Sequence, residues 1–410
     1  MSSNLGIRYR ACYGKLFSGL LNQFGTDYVS EIEDAIQNSF LKSLKLTTQG
    51  KVPDNPENWL FIVARNDVLN QIKKQKAPYT IATEENEDSF SAGSETDLRI
   101  QTIGFIITLK NSSNQAKILF ALKNIFGLSI AEISDTTLIN QEAIYKHINR
   151  TKRSMQQEVK NMEVDLHSIR INPHGAAIAE EIFYAVFNIG FDSFHEKTGR
   201  IVNDDLCLEA FALTKFFFDQ YQYNSTRNLL ALFCFHLARV PAKIENGKLI
   251  SFFHQNREKW NKEFLHLGFH YLIKPKEINT YYLEAVIISK YMSVHPFKKA
   301  DWMDIVKLYK WMQQISKSPI ITLNYCFCLS KIGQSEDALT LLLNLEKELP
   351  QDHIYFSLVK ATLLKEISPK ESNGLFLSVM HKMKQKIRKE YVLENALQDL
   401  SAVHFTPIFT

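Results

Sequence analysis

"SIAEISDTTLINQEAIYKHINRTKRSM", residues 129–155, is the stretch from which the rest of the chain is read outward. Ser129 followed three residues later by Glu132 forms a capping box, which predicts a helix beginning at Ile130. Asp135, Thr136 and Thr137 are poor helix-interior residues and mark its end, and Asn140 caps a second helix running to about Met155. On that second helix Ile144 and Ile148 stand one turn apart, facing inward toward Leu122, Ile125, Ile130, Ile133 and Leu138. Gln141, Glu142, Tyr145, Lys146, Asn149, Arg150 and Arg153 then face outward. Helix, tight turn and a second helix with a polar, basic outer face is the helix-turn-helix plan, whose second helix enters the major groove of DNA. Gln141, Glu142 and Lys146 have the chemistry for base edges, while Arg150, Lys152 and Arg153 suit phosphates. The plain alternative is a helical hairpin with a solvated basic end.

Outside this stretch the composition is that of a folded globular protein. The chain has 410 residues, 45% apolar and 22% charged, so two or three domains are expected. With only 15 Gly and 11 Pro, and hardly any alternating strand pattern, the fold class predicted is all-α. The net charge of +4 is too small to identify a partner. Five scattered cysteines without a CxxC pair suit reduced thiols in a cytoplasm. No apolar run resembles a signal peptide or a membrane span, so the expectation is a cytoplasmic protein without a membrane partner.

Helical periodicity fills residues 7–76. Ile32, Ala35, Ile36, Phe40 and Leu44 share one face, and Asn55-Pro56 starts a further helix, "PENWLFIVARNDVLNQIKKQK". Residues 78–98, with six acidic groups and no Lys or Arg, read as a flexible acidic linker. Pro173 and Gly175 mark a second break, after which helix-length apolar segments rich in Phe, Tyr and Leu continue to about residue 395. "CLSKIGQSEDALTLLL" from Cys328 and "LLKEISPKESNGLFLSV" from Leu363 align at an offset of about 35 residues, close to a tetratricopeptide helix pair.

"EIEDAIQNSFLKSLK" with "NPENWLFIVARNDVLNQIKK" resembles region 2 of the extracytoplasmic-function sigma factors of the sigma-70 family, and residues 112–155 resemble their region 4. The blocks "DDLCLEA" and "NREKW", with the segments that follow, are similar to the subgroup carrying a C-terminal tetratricopeptide-like (TPR) domain. The resemblance divides the chain into a region 2 domain (1–77), an acidic flexible linker (78–110), a region 4 helix-turn-helix (111–160) and a C-terminal helical-repeat array (165–410).

This resemblance implies a protein that binds core RNA polymerase and directs recognition and melting of promoter DNA. Asp34, Gln37 and Phe40 match the polymerase-docking surface, although Phe40 by itself reads better as core. Arg65, Asn66, Asn70, Lys73, Lys74 and Lys76 match the element that opens the −10 sequence, where unstacked bases need a pocket and a basic track. Gln141, Glu142, Tyr145, Lys146, Asn149, Arg150, Lys152 and Arg153 match the −35 recognition helix. Trp59 is assigned to the core with Ile62 and Val63. The chain departs from the family at Asp67, at Asn70, at Lys73-Lys74 where Arg pairs are usual, and at "IITLK" (106–110) where a Cys-Cys-His-Pro run is common.

No nucleotide-binding, metalloprotease or hydrolase motif is present, the histidines are dispersed, and neither an active site nor a cofactor is expected. The rival reading is a helical adaptor that binds polymerase or DNA without opening promoters. The C-terminal array is expected to regulate or to dock a protein partner.

Overall fold

Apolar residues at spacings of three and four become helices along nearly the whole chain. The computed structural model describes residues 2–75, 97–137, 139–159, 169–192, 201–346, 354–383 and 385–396. Eighteen α-helices and one two-stranded hairpin are found among them. None of these helices is long and apolar enough to cross a membrane. Two compact units result, Met1–Ile182 and Phe183–Thr410. The second therefore starts inside a helix, later than the boundary at 165 read from the sequence.

The first unit contains α1 (Ser2–Phe24), α2 (Val29–Thr48), α3 (Pro56–Gln75), α4 (Leu98–Thr108), α5 (Asn114–Asn124), α6 (Ile130–Thr137) and α7 (Gln141–Val159). Asn55 caps α3 as expected, accepting from the Asn58 N–H at 3.1 Å. Two sequence expectations change here. The segments assigned to separate regions 2 and 4 fold into a single unit, because α1 packs against α2, α3, α4 and α5. The linker assigned to 78–110 is also too long: residues 98–108 form α4, capped by the Asp97 carboxylate on the Arg99 N–H at 3.0 Å. Ile100, Ile103, Phe105 and Ile106 of α4 are buried, which a solvated spacer would not allow. The acidic residues of that linker before Asp97 lie outside the described residues.

The joint between α1 and α5 is close. Phe17 and Phe120 meet edge to face at 6.1 Å, and Gly14 sits so near that a Cβ there would lie 1.8 Å from the Ile125 carbonyl oxygen. Glycine at this turn of α1 lets the two backbones touch.

In the second unit α8 (Pro173–Phe191) continues from the break, followed by α9 (Asp204–Tyr221) and α10 (Asn224–Arg239). Phe187 stacks on Phe233 at 3.9 Å, and Phe183 meets Phe217 at 5.6 Å. Next comes a feature absent from the sequence reading. Strands β1 (Ile244–Glu245) and β2 (Lys248–Leu249) pair antiparallel about Asn246-Gly247, both at positive φ, the Asn-Gly hairpin signal. The remaining helices are α11 (Lys262–Tyr271), α12 (Thr280–Ser293), α13 (Lys299–Ile315), α14 (Pro319–Lys331), α15 (Ser335–Leu345), α16 (Ile354–Leu364), α17 (Pro369–Lys382) and α18 (Lys386–Ala396). The pairs α14–α15 and α16–α17 repeat at 35 residues from Pro319 to Ile354, with Leu323, Cys326, Leu342, Tyr355 and Val359 in one shared core. All five cysteines are free thiols, four of them buried.

Gly14→Ala is expected to lower the unfolding free energy by about 1–3 kcal/mol, because backbone rather than a flexible side chain must give way. Denaturant melts of the two proteins measure this, and equal stability would show that α1 and α5 part without loss. A second expectation concerns Glu284 on α12, which accepts a hydrogen bond from the Tyr184 hydroxyl at 2.8 Å. Burial pushes its carboxyl up to about 7, against the pull of that bond, from an ordinary value of 4.5. The protonated form is thus favoured in the folded chain, and the resulting stability is complete below 4.5 and lost as pH rises through 7. Glu284→Gln should flatten the fall in melting temperature between these pH values; an unchanged slope would remove Glu284 from the cause.

Candidate nucleic-acid interface

The helix-turn-helix forms where its caps place it. The Ser129 N–H donates to Glu132 Oε2 at 2.9 Å while the Glu132 N–H donates to Ser129 Oγ at 3.2 Å, completing the capping box of α6. Asn140 Oδ1 accepts the Ala143 N–H at 2.8 Å and starts α7. The Ser134 hydroxyl donates to the Ile139 carbonyl at 2.7 Å, tying the turn back onto α6. Ile144 and Ile148 are buried with Leu122, Ile125, Ile130 and Ile133, whereas Leu138 lies outside the described residues.

Carboxylates fix this module to its surroundings. Glu132 also pairs with Arg10 of α1. Burial pushes the Glu132 carboxyl up, but the Arg10 guanidinium and the Ser129 donors more than offset this and hold it below the usual range. At the far end of α7, Glu158 accepts the backbone N–H groups of Lys110 and Asn111, each at 2.8 Å. Its carboxyl is likewise held low, the desolvation being outweighed by these donors, by Ser154 and by the Lys117 charge.

Of the residues assigned to −35 recognition, Gln141, Glu142, Tyr145, Lys146, Asn149, Arg150 and Arg153 are exposed along one side of α7. Lys152 is not on that side. Its ammonium pairs with the buried carboxylate of Glu33 on α2, and Gln156 donates to the Asp27 carbonyl at 3.3 Å. The inward edge of α7 is therefore seated on α2 and on the 3-10 turn Thr26–Tyr28, so that a phosphate role for Lys152 competes with this pair. Nothing local in the sequence distinguishes Lys152 from Arg150 or Arg153; its partner is 119 residues away.

On α3 the buried residues are Leu60, Phe61, Ala64 and Val68. This corrects the assignment of Trp59 and Ile62 to the core: Trp59 is half-buried and Ile62 exposed. The helix has apolar residues around most of its circumference, so spacing alone left the inner face ambiguous. The outer face then carries Trp59 and Ile62, followed by Asn66, Asn70, Lys73 and Lys74, all four exposed. Arg65 is half-buried at its edge, and Lys76 lies outside the described residues. Asp67, the residue that departs from the family, accepts a hydrogen bond from Asn38 of α2 at 2.9 Å.

On α2, Asp34 and Gln37 are exposed, but Phe40 is 6% exposed and belongs to the core. Leu41 at 56% and Leu44 at 39% exposure take the next positions of the outer stripe 34–37–41–44. Leu44 thus lies outward and not on the inner face with Ile32, Ala35, Ile36 and Phe40. The spacing of seven of Leu41 from Asp34 and of Leu44 from Gln37 was the available signal.

A family of unknown function (DUF6596) matches residues 177–275, from within α8 to just beyond α11. Over 350 residues the chain is 25% identical to an uncharacterized protein of Rhizobium meliloti (strain 1021), with 82% of each chain covered. No solved structure matches significantly.

Breaking the seat of α7 tests its weight. Lys152→Met leaves a buried carboxylate without its cation and should cost about 3 kcal/mol. Lys152→Met with Glu33→Gln should cost clearly less than the two single changes added together. Strict additivity in urea melts would mean that the two residues do not interact in solution.

Proposed function

We propose that this chain is an RNA polymerase sigma factor that binds core polymerase, recognises a −35 element with α7 and opens the −10 element with α3. The observation carrying this reading is the chemistry on the outer face of α3. A half-buried Trp59 lies beside Ile62 and is followed by two exposed amides and two lysines. Flat apolar surface next to amides and a cationic track is what an unstacked single strand needs, since stacking offsets the unpairing and lysines follow the backbone. Two further features support it. The outer stripe of α2, with Asp34, Gln37, Leu41 and Leu44, offers polymerase a small mixed surface. The exposed side of α7 offers Gln141 and Lys146 for base edges, with Arg150 and Arg153 for phosphates. In this reading the second unit is a tetratricopeptide-like regulatory or docking domain, the protein is cytoplasmic, and no catalytic role or cofactor is assigned.

The adaptor reading has one observation in its favour. The pairing of Lys152 with Glu33 ties α7 to α2, which packs on α3, a closed arrangement suited to a chain that binds polymerase without opening DNA.

Single-round transcription from a genomic fragment library, with purified core polymerase and the full chain, separates the two. Specific transcripts are expected. Lys146→Ala should weaken recognition by about 1–3 kcal/mol at the base pair it reads while leaving polymerase binding intact. Polymerase binding with no transcript from any fragment would leave the adaptor as the answer.

A further inference from the structure

Helix α13 buries Trp302, Ile305, Tyr309 and Met312 and packs on α12 and α14. Its opposite side is not simply polar, as the outer side of a surface helix ordinarily is. Lys299, Met303, Lys307, Trp311 and Ile315 follow one another there at every fourth residue, and all five are exposed, Met303 at 48%, Trp311 at 41% and Ile315 at 42%. Lys310, also exposed, stands beside them one turn from Lys307. Such an i±4 row is the ridge on which a second helix packs, and from Met303 to Ile315 it offers about 18 Å of contact.

The charge around this row has one sign. Residues 286–331, from α12 to the end of α14, hold seven lysines and two acidic residues, an excess larger than the +4 of the whole chain. Both acids are already engaged. Asp301 accepts the Lys298 N–H at 2.9 Å, and Asp304 pairs with Lys290 and, at 3.2 Å, with Lys307. Lys299 and Lys310 have no ion pair among the described residues.

These features discriminate between occupants. A second copy of the same row would set lysines against lysines, which opposes association. Nucleic acid would use the lysines but leave Met303 and Ile315 without a partner, and the row has no arginine to fork onto phosphate. A lipid surface needs apolar side chains that reach about 5–10 Å inward, whereas these three are more than half covered by their own fold. An amphipathic helix with carboxylates along its apolar edge satisfies both halves of the row, with Trp311 as the aromatic anchor.

We propose that the outer row of α13 docks an acidic amphipathic helix of a partner protein, its apolar edge on Met303, Trp311 and Ile315 and its carboxylates on Lys299, Lys307 and Lys310. This rests on the docking role read for the second unit and names the chemistry of the partner. Its test involves neither polymerase nor promoter DNA, so its failure leaves the polymerase reading standing.

The test uses the full chain and a fluorescein-labelled synthetic helix of repeated Leu-Glu-Glu-Leu-Leu-Glu-Glu, followed by anisotropy at fixed ionic strength. One saturable site per chain is expected, with about tenfold weaker binding by Trp311→Ala and by Lys310→Glu. The same peptide with Lys for every Glu should not bind. If Trp311→Ala loses its native circular dichroism, Lys310→Glu makes the comparison from a side chain outside the core. No binding of the acidic peptide by the wild type, undiminished binding by folded Lys310→Glu, or equal binding of the basic peptide overturns the proposal. Tighter binding of a DNA duplex, or of vesicles of phosphatidylserine and phosphatidylcholine, with the same loss in both variants would give the row to nucleic acid or to a membrane and overturns it as well.

Discussion

The first unit depends on one close approach. α1 lies against α5 at Gly14, where the backbone comes so near the Ile125 carbonyl that no side chain fits. It is one of several joints between two groups of helices, α6 and α7 packing on α5 and α2 and α3 on α1, beside the Lys152–Glu33 pair and the seat of α7 on the Thr26–Tyr28 turn. Hydrophobic burial supplies the bulk of the energy there, but burial is non-directional. The missing Cβ sets how closely the two helices approach.

Charge does the finer positioning. Arg10 with Glu132, and Lys152 with Glu33, bridge segments more than a hundred residues apart, and Glu158 gathers the two N–H groups ahead of α5. Each of these glutamates has an acceptor bond or an ion pair to a donor that only the folded chain brings within reach. Glu33 and Glu132 are buried, and a buried carboxylate tolerates few geometries once it is paired, so these two joints select among arrangements that apolar packing alone would leave nearly equal. The same carboxylates remove Lys152 from the outer face of α7 and leave Lys146, Arg150 and Arg153 there, which sharpens the chemistry of the surface rather than its total charge.

The second unit uses charge differently. Asp192, Lys243 and Arg388 link α8, the hairpin and α18, while the Arg239 guanidinium lies over the Phe191 and Phe252 rings. Ring faces attract a cation but neutralise nothing. The charged cluster is thus assembled from segments as far apart as Asp192 and Arg388.

What the sequence determined by itself is local. The all-helical class followed from spacing, the Ser129–Glu132 box and the Asn140 and Asn55 caps fixed helix starts, and Ile144 and Ile148 identified the inner side of α7. These signals act over one turn, where side chain and backbone are neighbours whatever the rest of the chain does. Tertiary structure decided the inner face of α3, where Phe61 rather than Trp59 is core, and it turned Lys152 inward. It placed Leu41 and Leu44 on the surface, made a buried helix of residues 98–108, and set an arginine against a carboxylate almost two hundred residues away. In each case the deciding partner is remote in sequence, and a residue's own type and spacing carry no record of which distant group folding will set against it.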